Sequence, residues 1–395
     1  MNVEKIRKDF PILDEIVYLD SAATSQRPIS VIERINKFYK DQNSNVARGL
    51  YQLAENATFE YEQVRKKTSK FISSEESEII FTKNTTEAVN LVMRGYGEKF
   101  IKKGDKIVVT MLEHHSNFVP WQELAKRTGA KFEVVGLTAE GNLDEQDLLQ
   151  KLKGAKLFAF SAASNVLGTM PEVKHICKLA KDSGAVSLVD AAQYTPSHKI
   201  NLKDLGCDFL TFSGHKMLSP FGVGVLYGRE DLLESMDPFL YGSEMIRTVT
   251  SESSDWNTSP HKFESGTPNV AAVIGFGTAI DYLNDVGMDN IASYTQSLTS
   301  YLYSRLSELD FVNVLGPEKR AGLVSFTIDK VHSHDIAAIL NEDKVCVRSG
   351  HHCAMPLHDH LGISASTRAS IYFYNKKSEI DQLVESLEKV RKVFG

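Results

Sequence analysis

Two nucleophiles of different kinds, an amine and a thiol, stand where chemistry can use them. Lys216 ends the turn Ser213-Gly214-His215-Lys216, directly after the apolar run Phe209-Leu210-Thr211-Phe212. Cys353 lies in Arg348-Ser349-Gly350-His351-His352-Cys353-Ala354, a glycine-hinged turn rich in histidine. A lysine held at the rim of a sheet loses solvent, its pKa falls, and the neutral amine can condense with a carbonyl. A partly exposed thiol among basic groups, here Arg348 and Arg368, favours the thiolate. Together they suggest covalent chemistry on sulfur.

Open parallel sheets bind ligands beyond the C-terminal ends of their strands. The polar residues expected at such ends are Asp190, Gln193, Ser213, His215 and Lys216, with the loops at Thr85-Thr86 and His114-His115. Asp190 ends Val186-Ser187-Leu188-Val189, where a carboxylate can hold a proton on a heteroaromatic nitrogen; capping the next helix is the plainer alternative. Lys83-Asn84-Thr85-Thr86-Glu87 follows a strand and opens a helix, offering free N–H groups to a phosphate, although many such Thr pairs only cap. One imidazole of His114-His115 can stack on a planar ring; adjacent histidines diverge, which disfavours a shared metal ion. His351, His352, Cys353, His358 and His360 can also be read as zinc ligands, but two histidines abutting the cysteine make tetrahedral convergence awkward. Cys346, inside Val345-Cys346-Val347, suits a buried inert thiol.

The elements that must position these groups alternate in type. Strands are expected at 78–82, 106–110, 131–136, 156–161, 186–190, 209–213 and 224–228, with helices at 85–100, 117–128, 143–151, 171–183 and 231–236. That alternation is the mark of an α/β fold with a large, mostly parallel sheet of seven strands. Helices at 269–287 and 291–309 follow, then strands at 312–315 and 323–329, a helix at 334–341, strands at 345–348 and 368–373, and an amphipathic helix at 377–393. These make a smaller C-terminal α/β domain. The division expected is 20–265 for the larger domain and 1–19 with 266–395 for the smaller.

Bulk properties set limits on function. At 395 residues the chain exceeds the length of about 250 to 300 at which one core stops growing. A net charge of -6 leaves no broad basic field for nucleic acid. No apolar run reaches the length of about 18 to 20 residues that a membrane span needs, and Met1-Asn2-Val3-Glu4-Lys5 lacks the order of a secretory signal. Four cysteines without a C-x-x-C pair fit a reducing compartment, so a cytoplasmic location is expected.

With these residues assembled, the chain resembles the cysteine desulfurases of the fold-type I pyridoxal-phosphate enzymes, in the SufS-like group II of the class-V aminotransferase family. The resemblance runs from Tyr18-Leu19-Asp20-Ser21-Ala22-Ala23 almost to the C-terminus. Asn84-Thr85-Thr86-Glu87, Glu113-His114-His115, Ser164 to Gly168, Val189 to Gln193, Ser213 to Lys216, Phe263 to Asn269 and Arg348 to Pro356 carry it. It implies pyridoxal 5'-phosphate bound covalently to Lys216, with Asp190 on the pyridine nitrogen and His114 stacked on the ring. Gln193 would meet the ring hydroxyl; Thr85, Thr86, Ser213 and His215 would hold the phosphate, joined by Thr267 from the second subunit of a homodimer. Asn165 and Arg368, with Arg348 beside them, would take the substrate carboxylate, and Cys353 would carry the persulfide.

The activity implied is conversion of L-cysteine to L-alanine, with sulfur passed to an acceptor protein or an iron-sulfur scaffold. Selenocysteine lyases and cysteine sulfinate desulfinases share this scaffold, and a non-catalytic zinc-binding or partner-binding protein is the reading from another class. Two departures stand out. Val46-Ala47-Arg48-Gly49-Leu50-Tyr51 lacks the histidines many relatives carry around that Arg-Gly pair, and the cysteine segment is short, so Cys353 needs an acceptor to come to it.

Overall fold

The structure, a computed structural model, describes residues 1–394. Its centre is a seven-stranded sheet of β1 (Ile79–Thr82), β2 (Lys106–Thr110), β3 (Lys131–Val135), β4 (Leu157–Ser161), β5 (Val186–Asp190), β6 (Phe209–Ser213) and β7 (Gly224–Gly228). The spatial order is β1-β7-β6-β5-β4-β2-β3. Neighbours from β3 to β6 run parallel, while β7 is antiparallel to both β6 and β1. β1, β4, β6 and β7 are buried at every position, which is why they read as unbroken apolar runs. The edge strand β3 is partly exposed over most of its length, and its Glu133 pairs with Lys106 of β2 at 3.4 Å.

β7 can lie beside the start of the helix Thr85–Val92 because Gly224 has no side chain. A Cβ there would sit 2.5 Å from the Cα of Asn84. This contact closes the corner where the helix starts, next to Ser213 at the end of β6.

The expected helix 85–100 is regular over Thr85–Val92, continues as a wide turn over Met93–Gly97, and ends at Glu98–Phe100. Gly95 and Gly97 weaken its last turns. Besides the short helices Val3–Arg7, Leu202–Leu205 and Met355–His360, two longer ones were not anticipated, Ile29–Lys37 and Gln52–Ile72. The second hides its buried face from a hydrophobicity reading, because Ala54, Ala57, Arg65, Thr68 and Ser69 contribute to that face alongside Tyr61, Val64 and Ile72. It packs on Val270–Val286, whose Gly277 leaves just enough room for Val64.

The second sheet is antiparallel, with β8 (Val312–Leu315), β9 (Leu323–Ile328), β10 (Arg348–Gly350) and β11 (Ser366–Ser370) in the order β8-β9-β11-β10. The single strand expected at 345–348 is two. Val345–Cys346 pairs in parallel with Val17–Tyr18, whereas Arg348 onward pairs with β11. The strand expected to run to Phe373 stops at Ser370. Beyond it Asn375 Oδ1 accepts the Tyr372 N–H at 2.8 Å, turning the chain while Tyr372, Phe373 and Tyr374 stay buried.

Arg65 is almost fully buried and holds both oxygens of Glu264, at 2.7 and 2.9 Å, while donating to the Ile79 carbonyl at 2.8 Å. Glu264 also accepts the Phe81 N–H at 2.7 Å. The segment leading to Thr267 is therefore tied to β1. Replacing Arg65 with Met strands this carboxylate, and we expect a loss of about 3–5 kcal/mol in denaturant unfolding; a loss under about 1 kcal/mol would show the pair to be dispensable.

Candidate active site

The strand ends of the large sheet face the edge of the smaller one across a cavity of ≈ 180 Å³. Ser161, Asp190 and Ser213, the last residues of β4, β5 and β6, line its floor. His114, Asn165, Gln193, His215 and Lys216 join them from the following loops, and Thr85 and Thr86 from the helix start. Arg348, His352, Cys353 and Arg368 come from the smaller sheet. Of the thirteen residues nominated from the sequence, twelve line this one cavity. Thr267 does not; it lines a separate groove of ≈ 810 Å³ with His215, Phe221 and Leu240.

Burial sets the charge state of the floor. It depresses the Lys216 amine to about 8, with Asp190 opposing the shift and Arg368 and Arg348 reinforcing it. Burial raises the Asp190 carboxyl, against the Ala192 N–H that donates to its Oδ1 at 2.9 Å and the nearby Lys216. The other carboxylate oxygen has no partner among the described residues. His114 is held neutral, pushed down to about 3 by burial and then by Lys216. Its Nδ1 accepts the Ser116 N–H at 3.1 Å, so the remaining ring proton sits on Nε2. His215 falls to about 4, again mainly through burial.

One corner is built for an anion. The Asn84 side chain caps the helix by accepting the Glu87 N–H at 3.0 Å, and Ser213 Oγ accepts the Thr85 N–H at 2.9 Å. The Thr86 N–H has no acceptor among the described residues, and Thr86 Oγ1 pairs with Ser116 Oγ at 2.7 Å. A positive helix end with an orphaned N–H and hydroxyls beside it suits a phosphate.

The roof turn is strained. Gly350 has φ +114°, and the two residues before Ala354, His352 and Cys353, lie in the left-handed region at φ +50° and +56°. The His352 carbonyl accepts from Asn165 Nδ2 at 2.6 Å, and its ring Nε2 lies 3.1 Å from Ser366 Oγ. Asn165 thus spends its amide on this turn. Arg368 donates to the Asn165 carbonyl at 2.8 Å and to Asp20 at 3.2 Å, while its buried Nε has no partner. Arg348 and Arg368 are direct cross-strand partners, an unfavourable pairing of like charges unless an anion sits between them.

Pyridoxal phosphate fits this set. A buried carboxylate with a spare oxygen suits a pyridinium, the Gln193 amide, whose Nε2 donates to the Ala22 carbonyl at 2.8 Å, keeps its oxygen for a hydroxyl, and the orphaned Thr86 N–H suits the phosphate. The unpaired Arg368 Nε suits a carboxylate.

The class-V aminotransferase model matches residues 17–383. The chain belongs to the class-V aminotransferase family. It is 48% identical to a probable cysteine desulfurase of Halalkalibacterium halodurans over 100% of this chain and 99% of that one. It is 42% identical to a cysteine desulfurase of Haloferax volcanii, over 100% of this chain and 98% of the other. Among solved structures, the apo cysteine desulfurase of Thermococcus onnurineus superposes with a TM-score of 0.96 at 42% identity, covering 99% of this chain and 98% of that one. A cysteine desulfurase of Escherichia coli gives 0.93 at 35% identity, covering 100% and 99%.

Several supporting residues of this class-V aminotransferase escaped the sequence reading. Glu113 is buried and accepts from Thr110, Asn117 and Ser161, tying the His114 loop to β4. Asp20 anchors Arg368, and His115 contacts the Cys353 turn. Glu113 and His115 flank His114 in a run that was noticed, but Ser161 and Met355, the partners that tie them to the site, lie far away in sequence.

The Lys216 amine becomes neutral above about 8, so its reductive methylation by formaldehyde should rise through that pH and then level off. Surface lysines follow the ordinary value of about 10.4. Peptide mass spectrometry across pH reads both, and a Lys216 profile matching the surface lysines would refute the desolvated amine. Arg348→Gln, by relieving the like-charge pair, should leave stability unchanged or raise it by about 0.2–1 kcal/mol, while weakening a carboxylate ligand.

Proposed function

We propose that this chain is a pyridoxal-phosphate-dependent cysteine desulfurase. It converts L-cysteine to L-alanine and leaves the sulfur as a persulfide on Cys353. The observation that carries this reading is the meeting, in one cavity, of a desolvated lysine, a buried carboxylate and a thiol carried on a short turn of the smaller sheet. The named relatives support the same activity.

Lys216 would hold the cofactor covalently, and once bound it would supply an electron sink for the pair released at the substrate Cα. Asp190 would hold the pyridinium proton, and His114 would present an uncharged ring face. Thr86, Ser213 and His215 would hold the phosphate, while Gln193 would orient the ring hydroxyl. Arg368, with Arg348 opposite, takes the substrate carboxylate, and that anion separates the two guanidinium groups. Asn165 holds the turn beside it. Lys216, neutral once freed, carries the Cα proton. The Cys353 thiolate attacks the substrate sulfur: an S–S bond forms as the Cβ–S bond breaks, and protonation of the carbon fragment yields alanine. Transfer of the outer sulfur to another thiol is exchange chemistry.

Homodimerisation belongs to this reading. Thr267 stands outside its own chain's cavity, in a groove lined by the exposed apolar Phe221 and Leu240, as fits a residue serving a second copy. So does the division into lobes of 20–265 and of 1–19 with 266–395; the pairing of Val17–Tyr18 with Val345–Cys346 supports it at the N-terminus, whereas the helix Val270–Val286 packs in the core of the larger lobe. The sulfur acceptor is proposed to be a protein thiol or iron-sulfur scaffold that docks at the exposed Cys353, and four free cysteines fit a cytoplasmic setting. No helix among the described residues is long and apolar enough to cross a membrane. The zinc reading has little support, since no group of three metal-ligating side chains converges among the described residues.

Cys353→Ala should keep the yellow cofactor spectrum and lose alanine production from cysteine. Lys216→Ala should lose the covalently bound chromophore. Persistent turnover of cysteine by Cys353→Ala would overturn the desulfurase mechanism; turnover of selenocysteine alone by the wild type would favour the lyase.

A further inference from the structure

The Cys353 turn is held by one residue that does not line the cavity. The His115 N–H donates to the Cys353 carbonyl at 2.7 Å, and the His115 ring Nε2 accepts the Met355 N–H at 2.9 Å. The two bonds fall on either side of Ala354, where the strained pair His352-Cys353 runs into the helix Met355–His360. On the far side Asn165 Nδ2 takes the His352 carbonyl at 2.6 Å. Three points of the turn, at His352, Cys353 and Met355, are thereby fixed by two loops of the large sheet. The left-handed conformation is disfavoured for residues with a side chain and persists only where surroundings impose it.

We propose that His115 is a positioning residue for sulfur transfer: its neutral imidazole acts as the acceptor that latches the Cys353 turn over the cavity. This rests on the desulfurase reading above. The Met355 N–H is the first free donor of its helix, and a ring nitrogen that accepts it must be unprotonated. Neighbouring His114 lines the cavity, so the tandem histidines divide the work, one toward the cavity and one toward the thiol's support. Releasing the ring bond leaves the backbone bond to Cys353 in place, so the turn loosens at its C-terminal side without leaving the site.

The test compares wild type, His115→Phe, which keeps a planar ring without an acceptor, and His115→Gln, whose amide oxygen can accept. Each is purified as holoenzyme. Cys353 alkylation by iodoacetamide is followed by peptide mass spectrometry, and persulfide formation from cysteine is followed in a single turnover. His115→Phe should load cofactor normally and alkylate Cys353 at least about threefold faster. It should form persulfide at least about tenfold more slowly, with the KM for cysteine changed less than twofold; His115→Gln should recover most of both rates. Equal alkylation and persulfide rates in His115→Phe and wild type overturn the latch. So does a His115→Gln variant as defective as His115→Phe, which would mark a packing role. If wild type itself forms no persulfide, the desulfurase reading fails, and the alkylation comparison still decides the latch.

Discussion

Arg368 is the constraint on which the arrangement turns. Its guanidinium is 2% exposed and sits between the carbonyl of Asn165, on a loop of the large sheet, and the carboxylate of Asp20. Placing a charge there is costly unless its hydrogen bonds are met, and desolvation pulls its pKa down. Asp20 lies in a stretch stitched to the same strand by Ser370 N–H to Leu19 at 2.7 Å and Ser21 N–H to Ser370 at 3.2 Å. A single buried cation thus joins three parts of the chain, linking the smaller sheet that carries the thiol's turn to a loop of the large one.

The floor of the cavity works by the same physics in reverse. Water is removed from Lys216, Asp190, His114 and His215 together, and each is shifted toward its uncharged form. Such a site favours a ligand that brings its own charges in the complementary pattern, a cation for the carboxylate and anions for the helix end and the arginines. The unsatisfied groups, from the spare Asp190 oxygen to the Arg368 Nε, are where those charges would be received.

How much of this was legible follows from range. Strands such as Phe209–Ser213 announce themselves because burial on both faces demands a continuous apolar run, and the residues at their ends could be named before any fold was known. The helix Gln52–Ile72 was not legible, because its buried face is made of small and polar side chains. Glu113 and His115 were seen as part of a motif, yet their roles depend on Ser161 and Met355, 48 and 240 positions away. Sequence pattern reports local geometry well; it does not report which distant donor an acceptor will meet.

The pairing of Val17–Tyr18 with Val345–Cys346 has a consequence for how the protein is made. The ribosome must add 328 further residues before the first of these strands meets its neighbour. At roughly 5–20 residues per second that interval lasts about 16–66 s. During it the two-residue strand Val17–Tyr18 waits without its neighbour, and any slowing of translation between the two lengthens that wait.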